Sequence, residues 1–234
     1  MQATHGVRKE SRMDFNTETG GTGSSGEPPP GSRGPSPGPS SSAAAVEFRY
    51  TDPVQTFIAT VQAVVLRPVE FFRGILRRGD LINPLIFAII CYEVSAILGG
   101  LLRLVGIGAN QGFGAFIASI ILAPIFTAIG LFIFSGILHL LVMLIVGSRN
   151  SGYEATFRVV AYSAVTSLVS WIPFIGWILS LYGIYLAIVG IREMHDTTTG
   201  KAALVVLIPA AVALFILLLL AVVIGAVIFG ALNQ

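Results

Sequence analysis

Three long stretches of this chain carry no Asp, Glu, Lys or Arg: 104–148, 159–191 and 202–234. A helix needs roughly 20 apolar residues to cross the hydrocarbon core of a bilayer. A charge left inside that core costs on the order of 3 kcal/mol even by lenient insertion scales. Each stretch therefore has room for at least one crossing. Over the whole chain 54% of residues are hydrophobic and 11% charged, whereas a soluble domain carries about 25% charged residues. The short alternating segments with polar lumen faces that a transmembrane barrel requires do not appear. The sequence specifies an all-α polytopic membrane protein.

Before the apolar runs the chain changes character twice. Residues 1–47, with "GGTGSSGEPPPGSRGPSPGPSSSAAA", have almost nothing to bury and are expected to form a disordered cytoplasmic tail. No apolar core follows a basic start, so this is not a signal peptide. Residues 48–80 read as an amphipathic, basic interfacial helix region. Asp52 caps and Pro53 takes the first helical position. Phe57, Val61, Val64 and Val65 then recur at helical spacing. Pro68 interrupts, because its ring blocks the bond to residue 64. The second piece carries Phe71, Phe72, Ile75 and Leu76 among Arg67, Arg73, Arg77 and Arg78. Aromatic and basic side chains together suit the headgroup layer of an anionic leaflet, so these four arginines are the candidate lipid-headgroup contacts.

Residues 81–234 accommodate five spans, at about 84–104, 118–146, 155–171, 174–191 and 203–230. Asn83-Pro84 reads as the start of the first. "SWIPFIGW" divides 159–191 into two short spans, its tryptophans marking an interface. With five crossings, Arg67, Arg73, Arg77, Arg78, Arg149, Arg158, Arg192 and Lys201 share one side and Arg103 alone takes the other. The positive-inside rule then puts the N-terminus in the cytoplasm and the C-terminus outside. Twelve Arg against two Lys fit a GC-rich bacterial genome, and a bacterial plasma membrane is the expected location.

Chemistry-bearing residues are few. Glu93 sits roughly 15 Å into the first span, and His139 roughly 12 Å from the same side on the second, at 1.5 Å per residue. This candidate polar pair has two readings, a proton or ion relay and a structural bond between helices. Ser163, Thr166, Ser167 and Ser170 form a small polar face on the third span, and Gly176, Ser180, Gly183, Ala187 and Gly190 a small stripe on the fourth. Such faces let helices pack closely in lipid; a polar pore is the alternative for the serine face. His/Cys/Asp/Glu clusters with metal-ligand spacing are missing, and "TTTGKA" fails as a phosphate loop because His195 stands at the required first glycine. No metal, cofactor or catalytic residue is expected. A net charge of +2 is too small to imply nucleic acid, and none is expected as a partner. Membrane lipids remain, with other membrane proteins or a second copy.

Three blocks carry a family resemblance: "RPVEFFRGILRRGDLINPLIFA" (67–88), "GYEATFRVVAYSAVTSLVSWIPFIGWI" (152–178) and "GIREMHDTTTGKAALVVLIP" (190–209). In this order the chain resembles the Yip domain family, named for proteins that interact with Ypt/Rab GTPases. The resemblance covers about 55–230 and implies five spans with the termini on opposite sides. Eukaryotic relatives are associated with Rab binding and vesicle traffic. Here "GDLINPL" stands where those carry "DLYGP", so the chain looks more like the bacterial branch, for which no activity is assigned. The resemblance carries over no catalytic residue. The expected role is a non-enzymatic scaffold or adaptor, anchored by the spans and engaging lipids or partner proteins through the tail and the basic helix, the alternative being a small-solute or ion transporter using Glu93 and His139.

Overall fold

A computed structural model describes residues 47–108, 112–172 and 174–232. Among them every regular element is helical: α1 (Pro53–Leu66), α2 (Pro68–Gly74), α3 (Ile82–Leu104), α4 (Phe113–Ile145), α5 (Tyr153–Ser163) with a 3₁₀ continuation (Ala164–Val169), α6 (Ile175–Met194) and α7 (Thr199–Leu232). Four of these, α3, α4, α6 and α7, are long and apolar enough to cross a membrane. The expected tail lies outside the described residues except for Glu47.

Local chemistry sets most boundaries. α1 starts at Pro53 and ends where Pro68 prevents continuation; Arg67 takes a non-helical φ of −139° and α2 restarts on the proline. The Asp52 side chain makes no capping bond. Instead the Thr56 hydroxyl donates to the Asp52 carbonyl. Asn83-Pro84 is not the start of α3 either. Asp80 performs that role, its carboxylate accepting from the backbone N–H of Ile82 at 2.8 Å and of Asn83 at 3.3 Å. Asn83 is freed to accept from the Tyr50 N–H at 3.0 Å.

The expected third span is not one α-helix. After 11 α-helical residues the chain tightens into six of 3₁₀. Hydroxyls explain the change: Thr166, Ser167 and Ser170 donate to the carbonyls of Ser163, Ala164 and Ser167, each three residues back. At 1.5 Å and about 2.0 Å of rise per residue the two pieces together reach about 28 Å, close to a hydrocarbon thickness. A tight reversal follows. Phe174 adopts a left-handed φ of 67°, and a Cβ at Gly176 would lie 2.6 Å from the Ser170 carbonyl oxygen.

α6 then runs back along α5. Its small residues mark the contact line: Gly176 faces Ser170, Gly183 faces Thr166 and Gly190 faces Val159. A Cβ at Gly190 would come 2.6 Å from Val159 Cγ1, so only glycine allows this approach. Buried apolar side chains, among them Phe72, Phe87, Leu138, Phe157, Tyr162, Leu186 and Val205, gather where α5 is enclosed by its neighbours. The outer residues of α4 and α7, such as Phe126, Phe215 and Val222, are exposed and apolar, as lipid-facing helices are.

Candidate functional site

Polar interactions concentrate at the end of the bundle where α3, α5 and α7 begin and α4 and α6 finish. α5 is their hub. Glu154, Arg158 and Tyr162 recur every four residues and so share one face. Glu154 accepts from the Gly79 N–H at 2.6 Å, and Arg158 Nη2 donates to the Asp80 carbonyl at 2.7 Å. Arg158 Nη1 also donates to Glu47, whose carboxylate accepts from the Tyr162 hydroxyl at 2.9 Å. Arg158 is 2% exposed, and its Nε has no partner. The adjoining Phe48 is fully buried against Phe57 and Phe87. The last residues ahead of α1 thus plug into the bundle with an acid and a ring.

Thr156 lies two residues before Arg158, about 200° around the helix, and serves the other side. Its hydroxyl oxygen is 3.0 Å from His139 Nδ1 on α4 and 3.1 Å from His195 Nε2 beyond α6. His195 Nδ1 accepts from the Ser151 N–H at 3.2 Å. A ring nitrogen that accepts carries no proton, so the His195 proton is on Nε2 and points to Thr156. The threonine proton is then directed to His139. Burial, with His139 and Arg77 nearby, lowers the His195 pKa to about 4, so the ring is neutral.

A third set of contacts ties α2 to the end of α6. Arg73 Nε donates to Glu193 at 3.0 Å, and Arg77 grips Asp196 with both terminal nitrogens, one at 2.7 Å. The hydrogen bond from Arg77 holds Asp196 below the usual carboxylate range and raises the guanidinium in turn. Of the four arginines expected at headgroups, Arg73 and Arg77 therefore have carboxylate partners within the chain. Arg67 stands 3.9 Å from an exposed Glu70. Arg78 is exposed, and no side-chain hydrogen bond or ion pair of its own is present among the described residues.

Glu93 and His139 are not joined. His139 bonds to Thr156, while Glu93 Oε1 is buried without a partner. Glu93 lies about 180° around α3 from Pro84, Phe87, Ala88 and Cys91, on the same side as the buried Gly100, which packs against Phe116 of α4. The serine face meets α3 and α6: Ser95 and Ser170 hydroxyls are 2.9 Å apart. Beside them a cavity of about 530 Å³ is lined by Tyr92, Ser95, Arg103, Thr127, Ser170 and Trp171, among others. Ser163 Oγ is buried without a partner.

Sequence reasoning missed Glu47, Phe48, Thr156 and His195. One signal was present for the last: His139 and His195 are the only histidines after the tail, and both fall at the same end of their helices. Glu47 gave none, since its partner is 111 residues away.

The fold and site define a class, a polytopic helical membrane protein whose cationic end is closed by one buried ion pair, two more exposed ones and a histidine–threonine chain. The Yip1 domain model matches residues 63–230, and the chain belongs to that family. No curated protein and no solved structure matches it.

Proposed function

We propose that the protein is a non-enzymatic membrane adaptor that presents its cationic end to anionic headgroups or acidic partner proteins. The observation that carries this is charge placement. Arg78, Arg149 and Lys201 are exposed at that end, beside arginines already engaged by Glu47, Glu193 and Asp196. In this reading five segments cross a bacterial plasma membrane, the fifth being α5 with its 3₁₀ continuation. That segment is enclosed by other helices, so Arg158 and Thr156 within it meet protein instead of lipid. The N-terminus then lies in the cytoplasm and the C-terminus outside.

The test is lipid retention. The full chain, purified into nanodiscs containing anionic and neutral lipid, should keep anionic lipid on native mass spectrometry. Reversing Arg78, Arg149 and Lys201 together to Glu should remove that preference; unchanged retention would refute headgroup binding. The transporter reading keeps one supporting observation, the unpartnered carboxyl oxygen of Glu93 within a spanning helix. It requires that Glu93→Gln abolish a solute or ion flux in proteoliposomes. Equal flux for both proteins rules it out.

A further inference from the structure

α6 has 20 residues and is therefore about 30 Å long, a full hydrocarbon thickness with no excess for tilt. Trp177 is exposed near one end, and Arg192 and Glu193 stand at the other. Positions along α6 thus measure depth. Arg73 holds Glu193 at the cationic boundary, and Phe72 packs on Gly190 one turn below. The Tyr182 hydroxyl donates to the Val65 carbonyl at 2.6 Å. Tyr182 is 11 residues below Glu193, or about 16 Å. α2 and the end of α1 therefore follow α6 down to about its middle. The start of α1 is back at the boundary, where the Tyr50 N–H reaches Asn83, and Phe57 lies 5.2 Å from Phe87, further into α3.

The surface of α1 supports the same placement independently. Its buried residues are Thr56, Thr60 and Val64, while Val54, Ile58, Val65 and Leu66 face outward, Leu66 being 74% exposed. A helix lying in the headgroup layer keeps its polar side toward water. Here both buried hydroxyls turn into the protein beside Val64, and the outward side is dominated by aliphatic side chains, with Gln55 and Gln62 between them, as on a segment immersed in lipid. At the turn a groove of about 270 Å³ is lined by Ala59, Gln62, Ala63, Leu66 and Arg67. Small alanines leave the space, and an amide and an exposed guanidinium supply donors.

We propose that α1 and α2 form a re-entrant hairpin in the cation-side leaflet, and that the Gln62–Arg67 groove at its turn draws a phospholipid phosphate below the headgroup plane. A phosphodiester suits the planar fork of Arg67, whose carboxylate neighbour Glu70 stands 3.9 Å away in the open. At that depth the phosphate comes from a lipid, because a free anion would cross hydrocarbon to reach it. The inference rests on α6 crossing the bilayer and is independent of the adaptor reading.

Depth-resolved quenching tests both halves. Leu66→Cys in the full chain carries a small bimane fluorophore in nanodiscs; Cys91, fully buried, stays unlabelled. Lipids bearing a nitroxide at the headgroup or deep in the acyl chain serve as quenchers. Both should quench, and adding Arg67→Leu should abolish headgroup quenching while leaving the deep component. Headgroup quenching alone, or none, overturns the re-entrant hairpin. Deep quenching with no headgroup component in either protein overturns phosphate capture, as does headgroup quenching that survives Arg67→Leu. Loss of anionic lipid preference on reversing Arg78, Arg149 and Lys201 changes neither result.

Discussion

His139 and His195 are joined through a single hydroxyl, that of Thr156, which lies within 3.1 Å of both rings. One threonine proton serves one acceptor, so the chain from the Ser151 N–H to His139 has one direction. Thr156→Val keeps the shape and removes the oxygen. The His195 Nε2 donor is then left buried without a partner, which costs about 1–3 kcal/mol. The expected outcome is a lowered thermal midpoint in micelles, followed by near-UV circular dichroism. An unchanged midpoint would show that the chain contributes nothing to stability.

The same site predicts a pH dependence. His195 titrates at about 4 in the fold, against the usual 6.5. Between those values the unfolded chain binds a proton that the folded one refuses, so acid favours unfolding. The stabilisation is fully present above pH 6.5, declines as the pH falls toward about 4, and is gone below it. Its size is at most about 3 kcal/mol, at 1.36 kcal/mol per unit. Unfolding midpoints across that interval should fall with acidity for the natural chain. His195→Phe should flatten the curve; an equally steep curve assigns the dependence elsewhere.

What the sequence made legible follows interaction range. Pro68 ends α1 through contacts within four residues, and the clustering of cations at one end follows from span lengths. The reversal after Trp171 was readable from its aromatic, proline and glycine residues, although Pro173 itself lies outside the described residues. The Asp80 cap was misread as Asn83 because both residue types cap, and the contact of Tyr50 with Asn83 decided between them. A 3₁₀ continuation was hidden because serine and threonine also fit a packed α-helix. The outward apolar side of α1 escaped notice for a related reason. Periodicity shows that a stripe exists, while the neighbouring helix decides which stripe is inside.

The plug formed by Glu47 and Phe48 gives a prediction about paired charge. Glu47→Ala leaves the Arg158 guanidinium buried with only the Asp80 carbonyl as acceptor. Removing one partner of a buried pair typically costs about 3–5 kcal/mol. Arg158→Met in the same chain removes the uncompensated cation. The double variant should therefore be more stable than Glu47→Ala alone, measured by thermal midpoint. Additive losses would show that the two residues act separately.

The glycine line of α6 predicts a graded response. A methyl added at Gly190 would meet Val159 Cγ1 at 2.6 Å and Phe72 Cζ at 3.2 Å, both in the packed core. At Gly183 its nearest neighbour is the Thr166 hydroxyl oxygen at 3.1 Å, a looser approach with no atom closer than 3.0 Å. Overpacking a filled interior costs typically about 1–3 kcal/mol, with the cost set by how far neighbours can shift. Gly190→Ala should lower the unfolding midpoint more than Gly183→Ala does. Val159→Ala, which opens the space that the new methyl needs, should restore part of the Gly190→Ala loss despite its own cavity. Equal losses at the two glycines, or no restoration by Val159→Ala, would mean that close contact between α5 and α6 does not set the tolerance of this face.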